Sequence, residues 1–309
     1  MTSNSSSVTP QITTITTGLR FPEGPIAMDD GTFLVVEIEK QCLSRIDPNG
    51  HVTPIAMTGG GPNGAAMGPD GFCYVCNNGG HEWREDAVGG LRPVGPSKDY
   101  QGGWIDRINV STGQVHRLHE ASDKSKLHSP NDIVFDSTGG FWFTDLGKGY
   151  KRHMERGAVC YSRDGVVKEA IFPLLTPNGI GLSRDEKTLY VAETQTARLW
   201  AFELSAAGVV KKVSWPQSIN GGQLLTGSTQ FQFFDSLAVD FNDNICVATV
   251  FNGGITVVSS DATQCRHIAM PDYLTTNICF GGQHSTKAYI TLSSTGKLVS
   301  VDWQSVVGN

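Results

Sequence analysis

The chain is 309 residues long, which is enough to bury a large core, and 36 of these residues are glycine. Lys and Arg number 24 against 30 Asp and Glu, so the formal net charge is −6, and no basic patch points to nucleic acid as a partner. No run of about 18 apolar residues occurs, so no membrane-spanning helix and no membrane partner are expected.

The first ten residues and the cysteines bear on the cellular location. Residues 1–10 are polar, lack the basic and apolar regions of a signal peptide, and are predicted to form a disordered tail. The seven cysteines are an odd number and are scattered, which is typical of reduced thiols in a cytosolic protein. Both features favour a cytoplasmic location.

From residue 11 onward the sequence predicts short strands, beginning with a β-branched run over residues 11–17. A pattern then recurs six times: an acidic or amide residue, a short apolar stretch, a turn rich in Gly, Asp or Asn, and a strand. The copies begin 40 to 68 residues apart, which is typical of a propeller or a repeat array. The residues that lead the six copies are Glu23, Asn63, Asn131, Asn178, Asp235 and Asn277.

A complete copy of the pattern contains the four short strands of one propeller blade. In copy one, strands at 32–38, 42–46 and 52–56 follow the apolar stretch behind the leading residue, which makes four. The last copy supplies only three, and the strand at 11–17 is predicted to close that blade and hide its edge. We therefore predict an all-β fold, a six-bladed β-propeller with four-stranded antiparallel blades around a central channel, formed by residues 11–309 as a single domain.

Copy two carries an insertion over residues 79–103 that is rich in Gly, Pro and charged residues. A long loop in a compact domain is usually functional or mobile. His81, Glu82 and Trp83 within this segment are secondary candidates for lining a pocket.

The leading residues precede the innermost strands of the blades, so they are expected to ring one mouth of the channel. Local capping of turns by Asn and Asp would explain most of them, but Glu23 is a poor turn residue. A cluster of carboxylate and amide oxygens suits one divalent cation, Ca²⁺ best and then Mg²⁺ or Mn²⁺, whereas Zn²⁺ usually has His or Cys ligands. With only Glu23 and Asp235 as carboxylates, the ion would remain a Lewis acid.

A second set of residues lies fourteen or fifteen positions after the leading ones: Glu37, Asn77, Asp145, Glu193, Thr249 and Leu292. If the second strand of each blade returns to the mouth, these residues lie close to the leading ones. Glu37, Asp145 and Glu193 are then candidates for the pocket or for supporting its ligands. The alternative is that they are ordinary charged strand ends.

Four segments in order resemble the gluconolactonase/senescence-marker-protein-30/regucalcin-like family, in particular its bacterial gluconolactonase branch. The resemblance covers residues 18–303. The segments are Phe21-Pro22-Glu23-Gly24-Pro25, Ser129-Pro130-Asn131-Asp132 with Phe143-Thr144-Asp145, Pro177-Asn178-Gly179-Ile180 with the run 183–193, and Phe234-Asp235-Ser236-Leu237.

This resemblance implies a metal site and a reaction. It implies that Glu23, Asn178 and Asp235 bind calcium or another divalent ion, that Asn131 is a fourth ligand or a substrate contact, and that the reaction is lactone hydrolysis. The regucalcin branch has an Arg two residues before its Asn, where this chain has Ser129. His128 or the insertion is expected to supply the substrate contact instead.

The sequence therefore predicts a metal-dependent lactonase whose partner is a small-molecule lactone, with no oligomeric state indicated. The metal would polarise the lactone carbonyl, and Asp235 would assist the attacking water. Two alternatives remain, a non-catalytic metal- or ligand-binding propeller and a phosphotriesterase-like hydrolase that uses the same site. The predicted substrate contacts are Asn63, Asn131, His128, Asp145, Tyr150 and Glu193.

Overall fold

The computed structural model describes residues 10–87, 89–281 and 286–308, and these contain 27 strands and one helix of five residues. The all-β prediction is confirmed. The predicted tail, residues 1–10, lies outside the described residues except for Pro10. No helix in the described part of the chain has the length and apolar character needed to cross a membrane.

Six small antiparallel sheets correspond to the six predicted copies, so the fold is the predicted six-bladed β-propeller. The first strand is β1 (Ile12–Thr16), and blade 1 follows with β2 (Pro22–Ala27), β3 (Phe33–Glu37), β4 (Cys42–Ile46) and β5 (Val52–Met57). Blade 2 begins with β6 (Pro62–Met67) and β7 (Cys73–Asn77), is interrupted by the hairpin β8 (His81–Glu85) and β9 (Leu91–Pro96), and ends with β10 (Trp104–Ile108) and β11 (Val115–His119). Blade 3 contains β12 (Pro130–Phe135), β13 (Phe141–Asp145), β14 (Gly157–Arg163) and β15 (Val166–Leu174).

The remaining three blades complete the ring. Blade 4 contains β16 (Pro177–Leu182), β17 (Thr188–Glu193) and β18 (Arg198–Ala206), with β19 (Val209–Val210) and β20 (Gln223–Gly227) both paired to β18. Blade 5 contains β21 (Phe233–Val239), β22 (Ile245–Val250), β23 (Gly254–Val258) and β24 (Cys265–Ala269). Blade 6 contains β25 (Thr275–Phe280), β26 (Lys287–Leu292) and β27 (Lys297–Asp302), and the helix α1 (Trp303–Val307) follows it.

The first and last strands of the chain meet in one sheet, as the sequence predicted. Strand β1 pairs antiparallel with β27, with Ile12 opposite Val301 and Thr14 opposite Val299. This pairing supplies the fourth strand of blade 6 and covers an edge that would otherwise expose unpaired backbone groups. The ring is therefore closed by hydrogen bonds between the two ends of the chain.

The core is divided into six apolar clusters, one between each pair of neighbouring blades. Strand β3 shows why, since all five of its residues are buried and both of its faces pack against another blade. Val35 joins the cluster that contains Leu298 of blade 6, and Val36 joins the cluster that contains Val75 of blade 2. Near-continuous apolar strands are expected wherever a sheet is covered on both faces.

The innermost strands β2, β6, β12, β16, β21 and β25 contact one another in cyclic order and form the channel wall. In every blade the register between the innermost strand and the next one shifts at or beside the leading residue. Such a bulge bends the strand and changes the direction in which a side chain points. A shared backbone irregularity therefore directs the leading residues of the blades.

Glycine after a leading residue allows neighbouring innermost strands to approach closely. A Cβ added to Gly64 would lie 2.4 Å from the carbonyl oxygen of Asn131, and one added to Gly179 would lie 2.5 Å from the backbone nitrogen of Leu237. Both distances are too short for a side chain. The pairs Asn63-Gly64 and Asn178-Gly179 are thus contact points between neighbouring blades.

Candidate functional site

Five of the six leading residues line one cavity at the channel mouth, with a volume of about 260 Å³. They are Glu23, Asn63, Asn131, Asn178 and Asp235. The sixth, Asn277, supports the site instead, because its Nδ2 donates a hydrogen bond of 2.7 Å to Oε2 of Glu23. The structure therefore brings together the residues that the repeat predicted to converge.

Glu23 and Asp235 are the two carboxyl groups of the cavity. No cationic side chain is among the groups that shift the pKa of either one. Burial raises the pKa of Glu23, and hydrogen bonds from Asn277 and from the Gly24 backbone (2.9 Å) only partly oppose it. The pKa of Asp235 is raised well above its ordinary value, first by burial and then by the charge of Glu23. A cation bound between these carboxyl groups would relieve both effects.

The amide oxygens provide a second sign of a cation site. Oδ1 of Asn131 is buried and has no hydrogen-bond partner in the described part of the chain. Nδ2 of Asn178 donates to Thr194 Oγ1 at 3.1 Å, while its Oδ1 has only a long contact of 3.5 Å from the Ser236 hydroxyl. Buried oxygens without partners are costly unless a ligand or ion satisfies them. Two carboxylates and two amide oxygens fit a hard divalent cation.

This donor set differs from the metal sites built from several ionisable side chains. Within the described residues, no group of three or more His, Cys, Asp or Glu side chains is placed to hold a metal ion. The candidate site is therefore a mixed carboxylate and amide site, which favours Ca²⁺ or Mg²⁺ over Zn²⁺.

Above the oxygen-bearing floor, the cavity walls are mostly apolar. The floor consists of the five leading residues that line the cavity, together with Thr276. Burial lowers the pKa of His81 to about 3, so its imidazole is neutral. Arg92 is therefore the charged residue among the wall residues. The ten wall residues are Phe21, Ile38, His81, Trp83, Arg92, Pro93, Val250, Phe251, Tyr273 and Leu274.

The insertion, expected from its composition to be a loop, forms the hairpin β8–β9 and lies against the cavity. Its Trp83 ring lies 5.0 Å from the ring of Phe21 in blade 1. Its far end is bonded to blade 6, since the Tyr273 hydroxyl donates to the Asp86 carboxylate and the Leu91 N–H donates to the carbonyl of Ser294 at 3.1 Å. The hairpin thus bridges blade 2 and blade 6 across one side of the mouth.

The start of the insertion is held by a buried lysine. Lys148 Nζ donates to the carbonyl oxygens of Asn78 (2.7 Å) and Gly80 (3.3 Å), and burial lowers its pKa to about 8. His81 and Trp83 line the cavity, whereas Glu82 is exposed and lies outside the lining. The insertion, which was expected to be functional or mobile, therefore contributes part of the cavity wall.

The second set of acidic residues holds the backbone that leads into the innermost strands. Glu37 accepts a hydrogen bond of 2.9 Å from the Arg20 N–H, and Glu193 accepts one of 2.7 Å from the Leu175 N–H. Each acceptor is buried, and neither Glu37 nor Glu193 lines the cavity. These carboxylates support the loops before the leading residues.

In blade 3 a buried carboxylate also holds the loop before the innermost strand. Three predicted substrate contacts of this blade lie away from the cavity. Asp145 accepts hydrogen bonds from the N–H groups of His128 (2.8 Å) and Ser129 (2.6 Å). The His128 ring contacts the Glu155 carboxylate at 2.7 Å, and Tyr150 is 40% exposed. Like Glu193, the residues His128, Asp145 and Tyr150 are outside the cavity lining, and we do not include these four predicted contacts in the proposed substrate site.

Several wall residues were missed by the sequence analysis, although they lie one or two positions from the second set. Ile38 follows Glu37, and Val250 and Phe251 follow Thr249, at the ends of the second strands of blades 1 and 5. In these two blades the spacing selected Glu37 and Thr249, whereas the residues that follow them line the cavity. Arg92 and Tyr273 carried no comparable signal.

The fold and the site together place this chain in a class: six-bladed propellers that carry carboxylate and amide oxygens, a candidate cation site, at one mouth of the channel. Residues 21–294 match the SMP-30/gluconolactonase/LRE-like region, and the chain belongs to this family. The resemblance seen in the sequence is thereby confirmed.

Relatives of known name agree with this assignment. The chain is 34% identical over 151 residues to the lactonase drp35 of Staphylococcus saprophyticus, a match that covers 48% of this chain and 44% of that protein. It is 24% identical over 305 residues to the gluconolactonase of Zymomonas mobilis, covering 90% of this chain and 78% of the relative. The chain spans about half the length of the staphylococcal relatives it matches.

Solved structures share the fold. A gluconolactonase from Xanthomonas campestris superposes with a TM-score of 0.73 at 21% identity, covering 94% of this chain and 89% of that one. A calcium-binding protein, regucalcin, from Agrobacterium tumefaciens superposes with a TM-score of 0.69 at 17% identity, covering 92% and 90%.

Proposed function

We propose that the protein is a metal-dependent lactonase whose site is the cavity at the channel mouth. The observation that carries the proposal is the convergence of two buried carboxyl groups with the unpartnered amide oxygen of Asn131. The names of the relatives, lactonase and gluconolactonase, support the reaction type. The ligands proposed are Glu23, Asn131, Asn178 and Asp235, and Ca²⁺ is the proposed ion because all four donors are hard oxygens.

The residues of the site divide the work of ester hydrolysis. A bound divalent cation would supply Lewis acidity toward the lactone carbonyl. Asp235, a buried carboxylate that lines the cavity, would accept a proton from the attacking water. Asn63 and the Nδ2 group of Asn131 donate hydrogen bonds to the substrate, and Glu23 fixes the position of the cation.

The proposal is tested with EDTA-treated protein, a lactone panel and separate return of Ca²⁺, Mg²⁺, Mn²⁺ or Zn²⁺. Hydrolysis should disappear with EDTA and return with Ca²⁺. Glu23→Gln should lower metal affinity, measured by calorimetry, together with turnover. Asp235→Asn should lower turnover by about 10²- to 10⁴-fold, the usual contribution of a general base.

The exposed Glu82→Gln variant is the matched control and should behave like the wild type, because this side chain lies outside the cavity. Turnover that survives complete removal of metal would overturn the metal-dependent mechanism. A different outcome would establish a non-catalytic binding propeller: the wild type hydrolyses no lactone, and Asp235→Asn changes only the affinity for the metal.

A further inference from the structure

The cavity has two chemically distinct parts. Its floor carries the polar side chains of the innermost strands, whereas seven of its ten wall residues are apolar. Among the other three, His81 is neutral and the Tyr273 hydroxyl already donates to Asp86, which leaves Arg92 as the charged wall group. Mostly apolar walls with a few placed polar groups are typical of sites for apolar small molecules.

These walls suit a polyhydroxylated sugar lactone poorly. Every hydroxyl group buried in a site needs a hydrogen-bond partner, and a hydroxyl placed against an aromatic or aliphatic wall has none. Trp83, Phe21 and Leu274 offer no acceptor on the cavity side, and the amides of the floor are used by the proposed cation and ester. A substrate with an apolar substituent would meet no such penalty.

The apolar wall continues out of the cavity onto the surface of blade 5. The Phe251 ring, which lines the cavity, stacks on Phe231 at 5.2 Å and meets Phe233 edge-on at 5.0 Å. Phe231 is 77% exposed. Phe251 also has a positive φ of 68°, a backbone conformation that is uncommon for a bulky residue and is often found at functional sites. We call Phe231, Phe233 and Phe251 the phenylalanine rim.

We infer that the substrate is a lactone that carries a long apolar substituent. This inference rests on the proposed function. The ester ring lies on the floor beside Asp235, and the substituent passes along Phe251 onto the phenylalanine rim. Covering the exposed Phe231 ring removes apolar surface from water and adds to binding. Phe251 belongs both to the cavity and to the phenylalanine rim, so a molecule bound in the cavity can extend directly onto the rim. For this reason we assign the rim to the substrate and not to another partner.

Three lactones with the same six-membered ring test the inference on the Ca²⁺-loaded protein. They are δ-dodecalactone, with an alkyl chain, δ-valerolactone, without a substituent, and D-glucono-δ-lactone, with hydroxyl groups. The expected result is a kcat/KM for δ-dodecalactone at least ten-fold above that of each of the others. A preference for D-glucono-δ-lactone, or equal values for the alkyl and unsubstituted lactones, would overturn the inference.

Two variants separate the rim from a general surface effect. Phe231→Ala should lower kcat/KM for δ-dodecalactone at least five-fold more than for δ-valerolactone. Phe172→Ala is the matched control, because Phe172 is 50% exposed on β15, the outermost strand of blade 3, and should alter neither value. Equal losses on both lactones in Phe231→Ala would contradict a rim subsite.

The two proposals fail in different ways. Hydrolysis of the sugar or unsubstituted lactone in preference to the alkyl lactone leaves the lactonase proposal standing and overturns only the substrate class. Absence of hydrolysis for all three lactones with every ion overturns the lactonase proposal, and the substrate inference falls with it.

Discussion

Buried acidic residues near the channel mouth fall into two groups that differ in their partners. Glu23 and Asp235 face the cavity, and burial raises the pKa of each. Glu37, Asp145 and Glu193 instead accept hydrogen bonds from backbone N–H groups. These three carboxylates hold the loops that lead into the innermost strands, and none of them lines the cavity.

Glu193→Ala tests this division. Removal of the carboxylate leaves the Leu175 N–H and the Thr196 hydroxyl without their acceptor, so the free energy of unfolding should fall by about 1–3 kcal/mol. Because Glu193 lies outside the cavity, kcat/KM should change less than two-fold. Denaturant unfolding and lactone hydrolysis measure the two quantities.

The control for this variant is Glu203→Ala in the same blade. Glu203 is largely exposed and pairs with Lys211 on the surface, so its removal should cost little stability. A large loss of turnover in Glu193→Ala without a loss of stability would contradict this assignment and show that Glu193 contacts the substrate.

The sequence could predict which blade positions reach the mouth but not which side chains turn inward. The spacing found Glu37 and Thr249, whereas Ile38 and Val250, the next residues along the chain, line the cavity. Neighbouring residues of a strand point to opposite sides, so an error of one position exchanges a wall residue for a buried support. Only the three-dimensional course of the chain at the ends of the second strands decides between them.

At the level of elements, the repeat predicted the blades and the closing strand β1, because each depends on local strand and turn signals. The hairpin β8–β9 was read as a loop, since His81–Glu85 is largely polar and its surroundings are rich in Gly and Pro. Its position depends on the contact between Leu91 and Ser294, which are far apart in the sequence. Sequence patterns of short range cannot contain that information.

Gly64→Ala tests the close approach of the innermost strands. A Cβ at this position would lie 2.4 Å from the carbonyl oxygen of Asn131 and 2.6 Å from Cα of Asp132, so β12 would have to move. Overpacking of this kind costs about 1–3 kcal/mol of stability. Because β12 carries Asn131, the affinity for Ca²⁺ should fall as well. Thermal unfolding and calorimetric titration with Ca²⁺ measure both effects.

Gly95→Ala provides the control within the hairpin. An added Cβ at Gly95 meets nothing within 4 Å, so neither stability nor Ca²⁺ affinity should change appreciably. A Gly64→Ala protein with unaltered stability would show that the contact between β6 and β12 is not tight.

At the level of the whole molecule, each blade is held by clusters that it shares with two neighbours, and the ring has no free end. The channel at its centre brings the acidic side chains of Glu23, Asp132 and Asp235 from three different blades close together. Asp132 of blade 3 shows the cost, because burial and then the charge of Glu23 raise its pKa to about 8. Glu23 and Asp235 are raised in the same direction.

These raised pKa values predict how pH and metal act together on stability. In the unfolded chain the three groups titrate near pH 4, whereas in the fold they retain protons to higher pH, up to about 8 for Asp132. The fold therefore binds more protons than the unfolded chain between these limits, and this contribution to stability is lost as the pH rises. A cation that binds the ionised carboxylates of Glu23 and Asp235 should offset their part of the loss, so its effect should grow with pH.

We therefore expect that Ca²⁺ raises the Tm of the protein more at pH 8 than at pH 5, relative to protein kept in EDTA. The difference in Tm between Ca²⁺-loaded and EDTA-treated protein at one pH reports only on groups whose protonation is linked to the metal. Groups remote from the site, such as His267, titrate alike with and without Ca²⁺ and cancel in this difference. In Glu23→Gln the growth of the Ca²⁺ effect with pH should be smaller, since one of the carboxylates is gone. A Ca²⁺-induced shift in Tm that is the same at every pH would show that the cation does not bind at these carboxyl groups.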